Sequence, residues 1–302
     1  MKDLISIDQL SNADIALIHS KAEKFFRNPQ KQNSELKGKT LINFFFENST
    51  RTRMSFEIAA QRMGVDVVNL DISLSSLKKG ESIIDTAKTI NAMRPDFVAI
   101  RHNASGILEV LKKYISASVI NAGDGTNEHP SQALLDSFVI LQHKKTLKNL
   151  KIAICGDVLH SRVARSNIKL LKKFGCEIRV ITPPTLTPKN YKNWLKKNWD
   201  IEVFESLADG IKNVDVVMML RIQQERMAGC YIPSLGEYFS LFGLTHEKLK
   251  LAPTALVLHP GPINRDVEIS SALADDEKVS LILEQVEAGV AVRQSILSFL
   301  SA

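Results

Sequence analysis

Cysteine is scarce in this chain, with three in 302 residues: Cys155, Cys176 and Cys230. They are far apart, and no C-x-x-C pair or Cys/His cluster accompanies them. That excludes a disulfide framework and gives no zinc-ligand spacing. Such a set belongs in a reducing cytoplasm. Long apolar runs are also missing. No stretch reaches the roughly 18 apolar residues of a membrane span. The opening Met1-Lys2-Asp3-Leu4-Ile5-Ser6 has too short an apolar segment, broken by an acid, to read as a signal peptide. The full G-x-G-x-x-G fingerprint is absent, which weakens a dinucleotide reading. Internal repeats and low-complexity tracts are absent too.

What remains is enough for folded cores. Hydrophobic residues make up 44% of the chain, and the length allows about two domains. The net charge of +6 invites a nucleic-acid reading. The lysines argue against it, since pairs such as Lys144-Lys145, Lys172-Lys173 and Lys196-Lys197 are spread along the chain with few aromatics among them. A modest positive field attracts small anions without choosing one.

Strand-like and helix-like segments alternate throughout. The first half reads as a helix over Ser11–Phe26, a strand over Thr40–Phe46, a helix over Met54–Met63 and a strand over Val65–Leu70. A helix over Glu81–Met93 follows, then strands at Asp96–Arg101 and Ser118–Asn121 flanking a helix near Ile107–Tyr114. The second half repeats the logic, with strands at Lys151–Cys155, Glu177–Thr182, Asp215–Arg221 and Thr254–His259 and a helix near Arg162–Phe174. Pro183-Pro184 and Pro188 mark a loop. The pattern predicts an α/β protein of two domains, each a parallel sheet flanked by helices. Helix Pro130–His143 links them, and the border falls near residue 133, giving domains 1–133 and 134–302. The last helix, about 276–300, returns to pack on the first domain.

Ligands of open α/β sheets sit beyond the carboxyl ends of strands, and chemically able residues gather there. Ser49-Thr50-Arg51-Thr52-Arg53 follows the first strand. Three hydroxyls and two guanidiniums at a helix start make an anion site, because the dipole and the first-turn N–H groups favour negative charge. The plain alternative is a capped helix with a solvated basic first turn. Arginine there opposes the dipole unless an anion intervenes, which favours the site. Arg101-His102, the run Asn121–His129, His160-Ser161-Arg162, Arg221 and His259-Pro260-Gly261-Pro262 close other strands.

Together these segments resemble the aspartate/ornithine carbamoyltransferase family over nearly the whole chain, from Phe44 to Val267-Glu268-Ile269. Ser49–Arg53 is similar to the family's carbamoyl-phosphate signature, and His129-Pro130-Ser131-Gln132 to its H-P-x-Q element. The resemblance implies that Ser49, Thr50, Arg51 and Thr52 hold the phosphate. It directs Arg101, His129 and Gln132, with Gly261 and Pro262, at carbamoyl phosphate. Lys78-Lys79-Gly80-Glu81 resembles the lysine loop of the aspartate branch, which puts Lys79, with Ser75 or Ser76, into a neighbouring subunit's site. Arg162, Arg221 and Gln223 resemble the aspartate-binding set. Two arginines suit a dicarboxylate, whereas ornithine would require an acid for its ammonium. The ornithine branch's C-L-P segment is absent. Asn48, where Pro or Ala is frequent, departs from the pattern.

The activity so implied is transfer of a carbamoyl group from carbamoyl phosphate to the amine of L-aspartate, in pyrimidine biosynthesis. It needs no metal or cofactor. Thr52, Arg101 and His129 would stabilise the oxyanion and Arg51 the leaving oxygen. Lys79 or the substrate's own phosphate would accept the amine's proton. Glu47, with Arg162 and Arg226, resembles an interdomain latch that closes on bound ligands. A homotrimer with shared sites is implied, with a regulatory chain or a dihydroorotase as candidate partners and neither nucleic acid nor membrane. Two rival readings are transfer to another amine and a non-catalytic phosphate-binding paralogue.

Overall fold

Parallel strands covered by helices on both faces have no side for water, so they read as nearly continuous apolar runs. The segments around Leu41, Val98, Val119, Ile152 and Val217 follow that rule. The computed structural model describes residues 2–47, 49–71, 80–223, 232 and 234–302. The chain divides into two units, Met1–Leu135 with Val286–Ala302, and Asp136–Gln285.

The first unit runs α1 (Asn12–Arg27), β1 (Thr40–Phe45), α2 (Thr50–Arg62), β2 (Asp66–Asp71), α3 (Ile83–Ala92), β3 (Phe97–His102), α4 (Ile107–Leu111), β4 (Ser118–Asp124) and the start of α5 (Pro130–Lys144). Its four strands are all parallel, in the order β2-β1-β3-β4. Phe44, Val98, Ile100, Leu108, Leu111 and Val119 form a buried cluster, each contributing about 1.5–3 kcal/mol of burial.

The second unit continues with β5 (Lys151–Cys155), α6 (Arg162–Lys173), β6 (Glu177–Ile181), α7 (Lys189–Trp199), β7 (Glu202–Phe204), α8 (Leu207–Gly210) and β8 (Val216–Met219). Then come α9 (Leu235–Phe242), α10 (His246–Leu249), β9 (Leu256–Leu258), α11 (Ser271–Ala274) and the start of α12 (Ile282–Leu300). Its five parallel strands are ordered β7-β6-β5-β8-β9. Val217, Met219, Ile222, Tyr238, Phe242 and Val257 belong to its core.

Strand order reverses once in each sheet, between β1 and β3 and between β5 and β8. A crevice opens at such a reversal beyond the carboxyl ends.

The α/β architecture matches the sequence expectation, and α12 packs back on the first unit as expected. Ser295 Oγ donates to the Ile18 carbonyl (2.6 Å), Lys21 Nζ donates to Ser298 Oγ (2.8 Å), and the Arg293 guanidinium lies 5.0 Å from the Phe56 ring centre. The structure departs from the expected elements most clearly at α2, α12, α7 and β7. Helix α2 starts at Thr50 rather than Met54, so the basic signature is itself the first helical turn. Helix α12 starts at Ile282 rather than 276, because the preceding residues extend the sheet. Val257 N–H donates to Val279 O, and Leu281 N–H to Val257 O, both at 2.9 Å. Helix α7 was not expected after the prolines, yet Pro188 stands at its N-cap, where a fixed φ helps. Strand β7 is too short and too close to the edge to show a pattern.

Candidate active site

In the first unit the reversal between β1 and β3 brings two predicted elements together. Phe45 is the register partner of Arg101, and Phe46 N–H donates to the Arg101 carbonyl (2.8 Å). The chain leaves β1 there and enters α2 with Ser49 at the N-cap position and Thr50, Arg51 and Thr52 as the first turn. Ser11, Ser82, Ser161, Ser234 and Thr245 each use their side chains to accept a first-turn amide of their helices. Ser49 makes no such bond, and the first turn of α2 holds no acid. The capped-helix alternative therefore loses its main support. Thr52 is buried, while Thr50 and Arg51 are exposed.

Arg101 is fixed at the end of β3. Its Nε donates to Glu47 Oε2 (3.1 Å) and its Nη1 to the Ala122 carbonyl (3.4 Å). Within its own unit Glu47 thus orients Arg101. His102 is left outside the chemistry: its Nδ1 accepts from Ala104 N–H (2.8 Å), and burial lowers its pKa.

His129 is delivered by the loop after β4, and Asp124 organises that loop. Its buried carboxylate accepts from Asn121 Nδ2, Gly106 N–H, Asn127 Nδ2 and Glu128 N–H at 2.7–3.0 Å. Asp124 is therefore a hub, more than the turn former its sequence setting suggests. Gly125 has φ +45°, and a Cβ there would sit 2.3 Å from Ser105 Oγ and 2.6 Å from Ser105 N. No side chain fits without moving backbone. His129 and Gln132 are both buried at the start of α5. Ser131 Oγ lies 3.4 Å from His129 Nδ1, and Arg293 Nη2 lies 3.5 Å from that hydroxyl. Arg293 carries no sequence signal, because it sits in an apolar helix far along the chain.

In the second unit the reversal between β5 and β8 gathers the other set. Arg162 is buried as the first residue of α6, whose cap is Ser161. Arg221 and Gln223 follow β8. Gly156 has φ +121°, and a Cβ there would lie 3.0 Å from the Leu220 carbonyl and 3.3 Å from Tyr238 Oη. Its bare Cα lets the ends of β5 and β8 approach.

Two buried acids that sequence reasoning did not single out as site residues hold this edge. Asp157 accepts from His160 Nδ1 (2.9 Å), His160 N–H (3.1 Å) and the backbone N–H of Gln223. Glu268 accepts from Ile222 N–H (3.0 Å), Asn264 Nδ2 (2.7 Å) and Asn264 N–H (2.9 Å). Burial raises both carboxyl pKa values, and these donors pull them partly back. Among the described residues Tyr238 Oη has no hydrogen-bond partner, and burial beside Cys155, Glu268 and Asp157 raises its pKa well above 10.0. Gly261 and Pro262 follow β9 across a cis bond, and Gly261 N–H donates to His259 Nδ1 (2.8 Å).

Lys79, with Lys78, Ser75, Ser76, Asn48 and Arg226, lies outside the described residues. Among the described residues no group of three or more His, Cys, Asp or Glu side chains is placed to hold a metal. None of the described helices is long and apolar enough to cross a membrane. Cys155 and Cys176 are buried free thiols, and burial pushes the latter's pKa up to about 12. Neither suits a nucleophile.

Two parallel sheets flanked by helices, each with polar donors at its strand reversal, place the chain in the two-domain α/β class. Residues 2–142 match the carbamoyl-phosphate-binding domain of aspartate/ornithine carbamoyltransferases, and residues 148–300 match their aspartate/ornithine-binding domain. The aspartate carbamoyltransferase catalytic subunit of Parvibaculum lavamentivorans is 54% identical over 99% of this chain and 91% of its own. Aspartate transcarbamoylase from Trypanosoma cruzi, solved with N-(phosphonacetyl)-L-aspartic acid, is 30% identical with a TM-score of 0.87, covering 98% of this chain and 94% of its own. Ornithine carbamoyltransferase from Pyrococcus furiosus is 26% identical with a TM-score of 0.86, covering 99% and 96%. The chain belongs to the aspartate/ornithine carbamoyltransferase family.

Proposed function

We propose that this protein transfers the carbamoyl group of carbamoyl phosphate to L-aspartate, giving N-carbamoyl-L-aspartate and phosphate. The observation that carries the donor half is the uncapped start of α2, with Thr50, Arg51 and Thr52 in its first turn beside Arg101 at the reversal of its sheet. The acceptor half is supported by Arg162 and Arg221 in the second unit, two cations suited to two carboxylates, and by the 54% identity to a catalytic subunit of that activity.

The roles follow from charge. The amine attacks the carbamoyl carbon, and negative charge grows first on the carbonyl oxygen and then on the departing phosphate. Ser49, Thr50, Arg51 and Thr52 bind the phosphate, with Arg51 meeting the leaving oxygen. Thr52, Arg101 and His129 donate toward the carbonyl oxygen, and Gln132 with the Gly261-Pro262 backbone orients the carbamoyl group. Preorganised donors of this kind need not reorient as charge develops. Arg162, Arg221 and Gln223 bind aspartate. Lys79 is assigned by resemblance as a residue shared across subunits, and it or the phosphate takes the proton. No protein nucleophile is involved. The reaction belongs to pyrimidine biosynthesis.

Assembly as a homotrimer, with a regulatory chain or a dihydroorotase as candidate partners, is our reading from the resemblance and from the relative's being a subunit. A cytoplasmic home fits the buried free thiols. A product assay with carbamoyl phosphate and competing aspartate and ornithine tests the function. Carbamoyl-aspartate as the dominant product is expected, and preferential carbamoylation of ornithine would overturn the acceptor assignment. Sizing of the pure protein tests the trimer.

A further inference from the structure

The carboxylate of Glu268 does a job that neither substrate assignment uses. It touches two loops at once. One is the segment Arg221-Ile222-Gln223 after β8, gripped through Ile222 N–H. The other is the loop Gly261–Asn264 after β9, gripped through the Asn264 backbone N–H and side-chain amide. Oε1 is shared between the loops, and Oε2 serves the second loop alone. The first loop carries acceptor residues, and the second carries Gly261 and Pro262 of the donor set. Glu268 itself is fully buried, inside a unit where Ile222, Tyr238 and Ile269 pack as core.

We infer that Glu268 is a positioning residue that couples the two substrate loops, so that occupancy of the Gly261-Pro262 loop sets the geometry of Arg221 and Gln223. The physical reason is sharing. A carboxylate oxygen that accepts from both loops cannot follow one without changing its bond to the other. The neighbouring amide, Gln223 N–H, is held separately by Asp157. The acceptor segment thus has one fixed anchor and one anchor that moves with the donor loop. Asn264 Nδ2 and Ile222 N–H bond the same oxygen, so removing one of them loosens the coupling without removing either loop.

This inference rests on the proposed carbamoyl transfer, and its test separates the two. Succinate has both carboxylates of aspartate but no amine, so it binds without reacting. Calorimetry measures its affinity with and without saturating carbamoyl phosphate, and the ratio is the coupling. A ratio of about tenfold is expected for the parent, within the usual range for linked sites. Glu268→Gln keeps one acceptor oxygen and puts an NH2 against a donor. It should bring the ratio to within about twofold of unity while carbamoyl-phosphate affinity stays within about threefold of the parent. Asn264→Ala, a milder change outside the core, should give an intermediate ratio and keeps the test alive if the first variant fails to fold. A parent ratio of one, an undiminished ratio in both variants, or an equal loss of both affinities would overturn the role of Glu268. A parent that makes no carbamoyl-aspartate would instead overturn the function.

Discussion

The two strand reversals solve opposite electrostatic problems. At β1/β3, α2 begins without a side-chain cap, its first turn carries Arg51 and no acid, and Arg101 stands at the next strand end. At β5/β8 the protein buries acids: Asp157 and Glu268 spend their oxygens on backbone amides of residues 222 and 223 and on their own loops. The first arrangement suits a ligand that brings its own negative charge. The second uses negative charge to shape the backbone that carries Arg221. Carboxylates order both units, Glu47 through the Arg101 side chain in the first and Asp157 and Glu268 through the backbone around Arg221 in the second.

The sharpest way to break this contrast is Arg51→Ala. Loss of a donor to the leaving group costs about 2.7–4 kcal/mol of barrier, so turnover should fall at least ~100-fold with the fold intact. Steady-state kinetics with a thermal-melt control checks it, and wild-type turnover would end the assignment.

Asp157→Asn probes the other side. It leaves the Gln223 amide and the His160 ring competing for a poorer acceptor, a loss of about 1–3 kcal/mol. The aspartate KM should rise at least ~5-fold with carbamoyl-phosphate saturation little changed. The same variant has a pH signature. Burial raises the Asp157 pKa above 3.8, so the folded protein holds that proton more tightly than the unfolded chain. The associated stability is complete below 3.8 and is lost as pH rises through the folded-state value. The difference in thermal midpoint, variant minus parent, should therefore move in the variant's favour from below pH 3.8 to neutrality. A flat difference would mean that Asp157 is not strained by its charge.

Glycine substitutions give the smallest effect and compare the units directly. Gly125→Ala meets Ser105 backbone at 2.6 Å, and Gly156→Ala meets the Leu220 carbonyl at 3.0 Å. Both have positive φ, so each should lose more than about 1 kcal/mol. Gly125→Ala should lower the midpoint further in a chemical-denaturation series. The reverse order would mean that the loop around Asp124 yields more easily than the β5/β8 approach.

Much of this arrangement is legible in the sequence, for physical reasons. Buried parallel strands announce themselves as apolar runs, and Ser49–Arg53 stands out because cations at a helix start are costly without an anion. Asp157 and Glu268 were hidden as site residues because their partners are backbone amides, which leave no trace in side-chain spacing. Arg293 was hidden because its contact to Ser131 spans the sequence. The bond of Glu47 to Arg101 was hidden for a similar reason: it depends on the β1/β3 register, which a single sequence does not state.

Helix α12 has one more consequence. Its residues from Val286 onward belong with the first unit, where Ser295 and Arg293 meet Ile18 and Phe56. The ribosome makes them only after the whole of the second unit. The amino-terminal half of a nascent chain must therefore wait for its closing piece, whereas the middle of the message encodes everything its own unit requires. The unit whose synthesis begins first is therefore the last to have its whole chain.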